Sequence, residues 1–494
     1  MAQRHVIIVG AGIGGLMAAV ILSGHGYKVT VLERAATPGG KMRQLSDGGR
    51  AMDAGPTVFT LKPIFEEAFA TVGLDFDSCV PSVQAHRLAR HAWDSPETFD
   101  LHADMRDATD AVREFFGGDE AQGFTRFCKD SARVWNSLKR DFVRSAKPSF
   151  IDLVKSAGLS GLPDLLAVSP FQRLWPALGT YFKDPRLQQL FGRYATYVGS
   201  SPFMSPATLM LIAHVEQAGV WMIEGGMHRL AQVCADCARA FGATIKYQAH
   251  VARITPGTKP RVELANGDLI TGDAIIYNGD ISAFGQGLLG DNARKAACAV
   301  ELEDRSLSAI TWTATLKCKG TGLIRHNVFF SNAYEREFGE VSTGDMISDP
   351  TVYVCAQDRG DDDRARSEAE RLLILINAPA RGDHSRYTVP QIDKSLDAVM
   401  ERLARCGVEL DPKPSHQTLT TPSDFANLLP GTGGALYGRA SHGWRATFER
   451  DGTRSRLPGL YFAGGSIHPG AGVPMAALSG WTSAQCVMSD LTSA

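Results

Sequence analysis

At 494 residues the chain is about three times the usual domain length, and its 44% hydrophobic content supports a large buried core. A net charge of −2 provides no basic face, which argues against a nucleic acid as partner. The nine cysteines are scattered and odd in number, and no secretory leader precedes the first apolar run, so reduced thiols in a cytosolic compartment are expected.

The first apolar run, Val6-Ile7-Ile8-Val9, reads as a strand, and Gly10-Ala11-Gly12-Ile13-Gly14-Gly15 follows it as a turn. A helix then passes through Met17, Ala18 and Ala19, and a second strand, Val29-Thr30-Val31-Leu32, ends at Glu33 and Arg34. Each residue type has a physical task. Gly10 permits the tight turn, Gly12 lets backbone amides reach a pyrophosphate, and Gly15 lets the helix pack close to the strand. The phosphate charge rests on the positive end of the helix. Glu33, about 20 residues beyond the first glycine, is placed to accept hydrogen bonds from ribose hydroxyls. The expected unit binds an adenine dinucleotide.

Pro38-Gly39-Gly40-Lys41 and Asp53-Ala54-Gly55-Pro56-Thr57 continue this fold as loops, and residues 60–220 read mostly as helices rich in Phe, Leu and Arg. Within 162–182, Leu165, Leu166, Val168, Phe171, Leu174, Trp175, Leu178 and Phe182 recur at near-helical spacing, interrupted by Pro170 and Pro176. Such a stretch either lines a core or forms an interfacial patch that admits a lipid-soluble substrate. Glu224-Gly225-Gly226-Met227 opens a helix carrying Cys234 and Cys237, whose redox-motif spacing lacks a thioredoxin-type context. Strands are expected at 243–247, 251–254 (starting at Val251), 261–264 and 273–277, with Asn266-Gly267-Asp268 as a hairpin turn. A second strand-rich block spans about 300–420, including 309–316, 351–356 and 372–376, with a charged helix after Pro390. The last strand runs through Leu460-Tyr461-Phe462 into Gly464-Gly465, and a small-residue helix begins near Pro474. No stretch reaches the ~18 to 20 apolar residues of a membrane span. The fold class expected is α/β. A Rossmann-like dinucleotide domain at 1–75, 222–300 and 425–494 is interleaved with an α+β substrate domain at 76–221 and 301–424.

A nicotinamide enzyme needs only the first unit, whereas the C-terminal segment points to a cofactor held at both ends. Pro474 is preorganised for a first helical turn, so Val473, Pro474 and Met475 mark a helix N-terminus. That terminus can face an isoalloxazine and stabilise the reduced ring. Taken together, Gly10 to Gly15, Glu33, Pro38-Gly39-Gly40, Asp53-Ala54-Gly55-Pro56-Thr57 and the closing motif from Leu460 to Pro474 resemble the bacterial-type carotenoid desaturases. These are FAD-dependent relatives of the amine oxidases. The most specific element is His468-Pro469-Gly470-Ala471-Gly472 followed by an apolar residue and Pro474. Gly40-Lys41-Met42-Arg43-Gln44 and Gly55-Pro56-Thr57-Val58-Phe59-Thr60 resemble the hydroxyneurosporene (1-hydroxycarotenoid 3,4-) desaturases of purple phototrophic bacteria. Phytoene desaturases more often carry arginine where Lys41 stands, and usually a different helix start from Met475-Ala476-Ala477.

The resemblance implies FAD as cofactor, bound through Gly10, Gly12, Gly14, Gly15, Glu33, Arg34, Gly40, Lys41, Gly55, Pro56, Thr57, Val251, Gly464, Gly465, Val473, Pro474 and Met475. It implies an acyclic carotenoid as substrate and oxygen or a quinone as electron acceptor. Peripheral contact with the inner, photosynthetic membrane from the cytoplasm is implied as well. Most of a rod-shaped substrate's binding must come from buried area, at about 25 cal/mol per Å². Phe182, Phe191, Tyr194, Tyr197, Phe203, Met204, Trp221 and Met222 are candidate tunnel walls, or plain core. His468 is a candidate base, or merely fixes its loop. His214, Glu216 and His228 are candidate partners for a substrate hydroxyl, and nothing in the sequence ranks them. Alternatives are a multi-step phytoene desaturase, a flavin-dependent isomerase, an amine oxidase and a non-enzymatic prenyl-lipid escort protein.

Overall fold

Strands whose consecutive residues are all apolar are covered on both faces. β1 (His5–Val9) and β2 (Lys28–Leu32) are of this kind, each buried over its last four residues, and they flank helix α1 (Ile13–Gly24). β3 (Arg87–Ala92) and β4 (Thr98–His102) lie in the middle region. Helix α2 (Met227–Ala240) leads to β5 (Thr244–Lys246), and β6 (Ala274–Tyr277) follows. Next come β7 (Ser308–Leu316), β8 (His326–Phe329), β9 (Val352–Ala356), β10 (Glu370–Ala378) and β11 (Gln417–Thr420). β12 (Leu460–Phe462) and helix α3 (Val473–Thr492) close the chain. The computed structural model describes residues 3–493 except 48, 140–141, 148–171, 321, 363, 366–367 and 412–416.

Two sheets organise the molecule. The first is five-stranded and parallel, in the order β5-β2-β1-β6-β12. Its strands fall within 1–75, 222–300 and 425–494. The second is seven-stranded and mixed, in the order β11-β7-β10-β9-β8-β3-β4, with β8 and β3 its parallel pair. Its strands fall within 76–221 and 301–424. A small antiparallel sheet of Phe59–Thr60, Val220–Ile223 and Ser82–Gln84 ties the two lobes together.

Among the described residues 60–220 is mostly helical, as expected, but it also carries the strands β3, β4 and Ser82–Gln84, which the expectation left out. Charged residues hide them from a hydrophobic pattern. Arg90 on β3 is buried and makes two hydrogen bonds to Asp100 on β4, at 2.7 and 2.8 Å, so the pair neutralises itself within the sheet. Of the segment 162–182, residues 162–171 lie outside the described residues. Leu174, Leu178 and Phe182 are core, and the Phe182 ring stacks on Phe191 with centroids 5.1 Å apart. No helix among the described residues is long and apolar enough to cross a membrane.

α1 is buried along almost its whole length, between the parallel sheet, α2 and α3. The small residues of α3 serve that packing. A Cβ on Gly480 would stand 1.9 Å from the Gly14 carbonyl oxygen, so the two helices touch backbone to backbone. Cys234 and Cys237 sit on α2 as free thiols, and burial pushes the Cys234 thiol up, the opposite of what a redox cysteine needs.

A nucleotide crevice continuous with an apolar cavity

The turns after β1, β2, β6 and β12 open into one cavity of about 1070 Å³. It lies beyond the carboxyl ends of the parallel strands, where sheets of this topology bind ligands. Gly10, Gly12 and Gly14 line it from the first turn, Glu33 and Arg34 from the second, and Val251 from the strand Val251–Thr255. Gly40, Lys41, Gly55, Pro56 and Thr57 form one wall. Gly464, Gly465, Val473, Pro474 and Met475 form another.

The walls of this crevice are held by backbone contacts. Gly10 adopts φ +100°, and a Cβ on Gly55 would lie 1.8 Å from the Lys41 carbonyl oxygen. The Gly39 amide donates to the Ala11 carbonyl at 2.8 Å, which docks the second glycine loop on the first. Glu33 accepts from the Ala11 amide at 2.7 Å and the Ala35 amide at 2.8 Å. Each carboxylate oxygen keeps a lone pair for a hydroxyl. Arg34 donates to the carbonyls of Asn427 and Leu428. Gly15 stands apart from the others and does not reach the cavity. A Cβ there would lie 2.2 Å from the Gly10 carbonyl oxygen, so its hydrogen is required for helix–strand packing.

Two helix N-termini face the cavity uncapped. Gly12 before α1 and Gly472 before α3 offer no side-chain cap, and neither first turn carries an acid. Their leading amides and the positive ends of their dipoles point at whatever fills the space. Two buried cations stand beside them. Lys41 donates to the Leu436 carbonyl, and Arg450 to the carbonyls of Tyr437 at 3.2 Å and Gly465 at 3.3 Å. Burial holds Lys41 below the usual ammonium range and brings Arg450 down to about 10. Neither forms a salt bridge among the described residues. Asp280 lines the same wall, and one of its carboxylate oxygens has no hydrogen-bond partner. Uncapped amides and unpaired cations call for an anion, and an orphaned carboxylate oxygen calls for a hydroxyl. A dinucleotide carries both. The residues present therefore fit FAD.

His468 is placed behind the wall rather than on it. It does not line the cavity. Its Nε2 lies 2.8 Å from the Phe142 carbonyl, which makes Nε2 the protonated nitrogen, and its ring meets Phe142 edge-on. Burial lowers its pKa to about 4. A neutral imidazole held by the carbonyl and the ring of Phe142 anchors the loop and does not reach the cavity.

Past Thr57 the cavity becomes apolar, lined by Leu209, Ile212, Leu373, Leu375, Trp444 and Phe448. Of the eight tunnel candidates only Tyr197 lines it, which corrects the expected wall. Phe182, Phe191 and Tyr194 are core, Met204 is exposed, and Phe203, Trp221 and Met222 are half-buried away from the cavity. Aromatic content cannot separate a core from a cavity wall, because both are apolar. Glu216 lines the cavity, whereas His214 does not, and His228 is engaged by its Nδ1 with the Met42 carbonyl at 2.8 Å. Sequence reasoning missed Asn278, Asp280, Arg450, Arg193 and Tyr353. Asn278 and Asp280 follow a strand beside β1, and the strand-end rule could have found them. No local signal marks the other three.

The model of the flavin-containing amine oxidoreductase family matches residues 13–488. A hydroxyneurosporene desaturase of Rubrivivax gelatinosus is 45% identical, the match covering 99% of this chain and 94% of that protein. A 1-hydroxycarotenoid 3,4-desaturase of Flavobacterium sp. (strain P99-3) is 30% identical, covering 97% of each. Among solved structures, the cyclohexylamine oxidase of Brevibacterium oxydans IH-35A superposes with a TM-score of 0.59 over 99% of this chain and 100% of that one. At 15% identity that likeness speaks for the fold alone. The chain belongs to the flavin-containing amine oxidoreductase family and, within it, to the carotenoid desaturases.

Proposed function

We propose that the chain is an FAD-dependent desaturase that introduces the C-3,4 double bond into 1-hydroxy or 1-methoxy acyclic carotenoids such as 1-hydroxyneurosporene. The observation that carries this reading is the continuity of the crevice with the apolar cavity, in a chain 45% identical to a hydroxyneurosporene desaturase. FAD, when bound, would supply the hydride-accepting chemistry, with oxygen or a membrane quinone as the final electron acceptor.

The residues of this chain bind, orient and exclude water. The amides after Gly12, with Lys41 and Arg450, hold the pyrophosphate, and Glu33 takes the adenosine ribose. Val251 borders the adenosine end. The N-terminus of α3 at Val473, Pro474 and Met475 would stabilise the negative charge of the reduced flavin. Gly55, Pro56 and Thr57 bring the cofactor against the apolar cavity, where Leu209, Ile212, Leu373 and Leu375 hold the rod. Their side chains keep water from the developing charge, which the polyene delocalises. The two lobes then divide the work as nucleotide domain and substrate domain. Because the substrate resides in lipid, the protein works peripherally at the cytoplasmic side of a photosynthetic membrane.

The test is the mass of the product formed from 1-hydroxyneurosporene by flavin-loaded protein. A product lighter by two hydrogens is expected. An unchanged mass with altered geometry identifies an isomerase, conversion of phytoene alone a multi-step phytoene desaturase, and a flavin-free protein that retains prenyl lipid an escort protein.

A further inference from the structure

One group in the apolar part of the cavity has no obvious reason to be there. Arg193 begins the turn Arg193–Val198 and lines the cavity among leucines and isoleucines. It lies deep within the protein and keeps open surface because the cavity reaches it. Its guanidinium is clamped between two phenol rings, 5.4 Å from the centroid of Tyr197 and 5.4 Å from that of Tyr353. Its hydrogen bond is a long one, 3.4 Å to the Tyr197 hydroxyl, and it forms no ion pair among the described residues. Glu216, the nearby carboxylate on the wall, is already engaged. It accepts from the Tyr194 hydroxyl and from the Tyr197 hydroxyl at 3.2 Å. A guanidinium has five donors. Stacking orients this one while leaving donors unmet, and a buried donor without an acceptor is costly.

Its position relative to the crevice is fixed by a short relay. The Tyr353 hydroxyl pairs with Thr57 at 2.6 Å and with His326 at 2.8 Å, and Thr57 follows the Gly55 turn that packs on Lys41. The stacked cation therefore stands where the nucleotide crevice meets the apolar cavity.

We infer that Arg193, held by Tyr197 and Tyr353, is a specificity-determining residue that donates a hydrogen bond to the oxygen on C1 of the carotenoid. This rests on the substrate reading above. The chemistry agrees on two counts. The C1 oxygen is three bonds from C3, so its partner must stand beside the reacting carbons and not at a distant end of the cavity. A guanidinium only donates, and hydroxyl and methoxyl oxygens both accept, so one group serves both substrates. Glu216 could serve the hydroxyl alone.

The experiment compares kcat/KM for 1-hydroxyneurosporene and for neurosporene, the same rod without the oxygen, in flavin-loaded wild type and Arg193→Met. The wild type is expected to prefer the oxygenated rod. Arg193→Met should lower that preference about 10- to 100-fold, the worth of a hydrogen bond to a charged group. Flavin content and neurosporene turnover should be retained, and Arg193→Lys should recover part of the preference. An unchanged preference in flavin-loaded Arg193→Met overturns the inference while leaving the desaturase reading intact. A wild type that desaturates neurosporene but not the hydroxylated rod sinks both. Should Arg193→Met fail to fold, the wild type with 1-methoxyneurosporene decides. Turnover within about tenfold of the hydroxylated substrate supports a donor, and rejection of the methoxylated rod overturns it.

Discussion

The crevice and the apolar cavity meet at Thr57, yet they are built from different materials. The crevice is lined largely by backbone: Gly10, Gly12, Gly14, Gly40, Gly55, Gly464 and Gly465 bring amides and carbonyls to its surface. The cavity is lined by side chains such as Leu209, Ile212, Leu373 and Trp444, drawn from segments far apart in sequence. A dinucleotide is recognised through fixed dipoles and close approach, which one intruding atom can abolish. A rod is recognised through area, which many side chains share. One region should fail all at once, and the other by degrees.

Gly12→Val tests the first half of that contrast and carries the largest expected effect. A Cβ at Gly12 meets the Asn278 amide nitrogen at 2.8 Å, the end of a side chain able to turn away, so the fold should survive. The valine methyls would occupy the space for the pyrophosphate. The variant is expected to keep its far-ultraviolet circular dichroism and to purify without flavin absorbance. Full flavin content in Gly12→Val would place the phosphates elsewhere.

Ile212→Ala tests the second half. Ile212 lines the cavity, and truncation removes about three carbons at ~0.8 kcal/mol each when fully in contact. With about half of that surface in contact with the rod, roughly a tenfold rise in KM with unaltered flavin content is expected from carotenoid titrations. Complete loss of turnover would mean that the cavity, too, depends on single positions.

The same contrast explains what was legible in the sequence. A site made of backbone needs particular residues at particular spacing, so Gly10, Gly12, Glu33, Gly55 and the turn at Gly464 announce themselves along the chain. The inner strands of the parallel sheet were equally visible, because burial on both faces makes largely apolar runs, whereas the edge strand β5 is mostly exposed. β3 was not visible, since Arg90 and His91 lie buried in it. The cavity wall was not visible either, because no spacing rule links Ile212 on one helix to Leu373 on β10. Arg450 and Arg193 are ordinary arginines until the fold buries them. In the sequence Glu216 is one of three polar candidates, and only its place on the wall ranks it.

Acid should affect the two regions unequally, through stability and not through binding. His91 and His326 lie in the seven-stranded sheet, and burial lowers the pKa of each from 6.5 to about 3. The unfolded chain therefore binds protons at these sites from pH 6.5 downward while the folded chain does not. Stability is full above pH 6.5 and is lost as pH falls toward about 3, by about 1.4 kcal/mol per pH unit for each histidine. His468 adds a similar loss ending near its pKa of about 4, at the loop that backs the crevice. Two of these three histidines thus belong to the lobe of the seven-stranded sheet. His91 is the cleaner probe, since its ring lies beside the stacked pair of Trp93 and Phe330, 6.2 and 6.1 Å from their centroids, and lines no cavity. Denaturant midpoints at about pH 7 and about pH 5 should converge in His91→Gln by the share of one proton, with flavin content unchanged at the higher pH. If the variant keeps the full pH dependence, His91 is protonated in the native sheet, and the acid-labile element lies elsewhere in the lobe of the seven-stranded sheet or in the loop of His468.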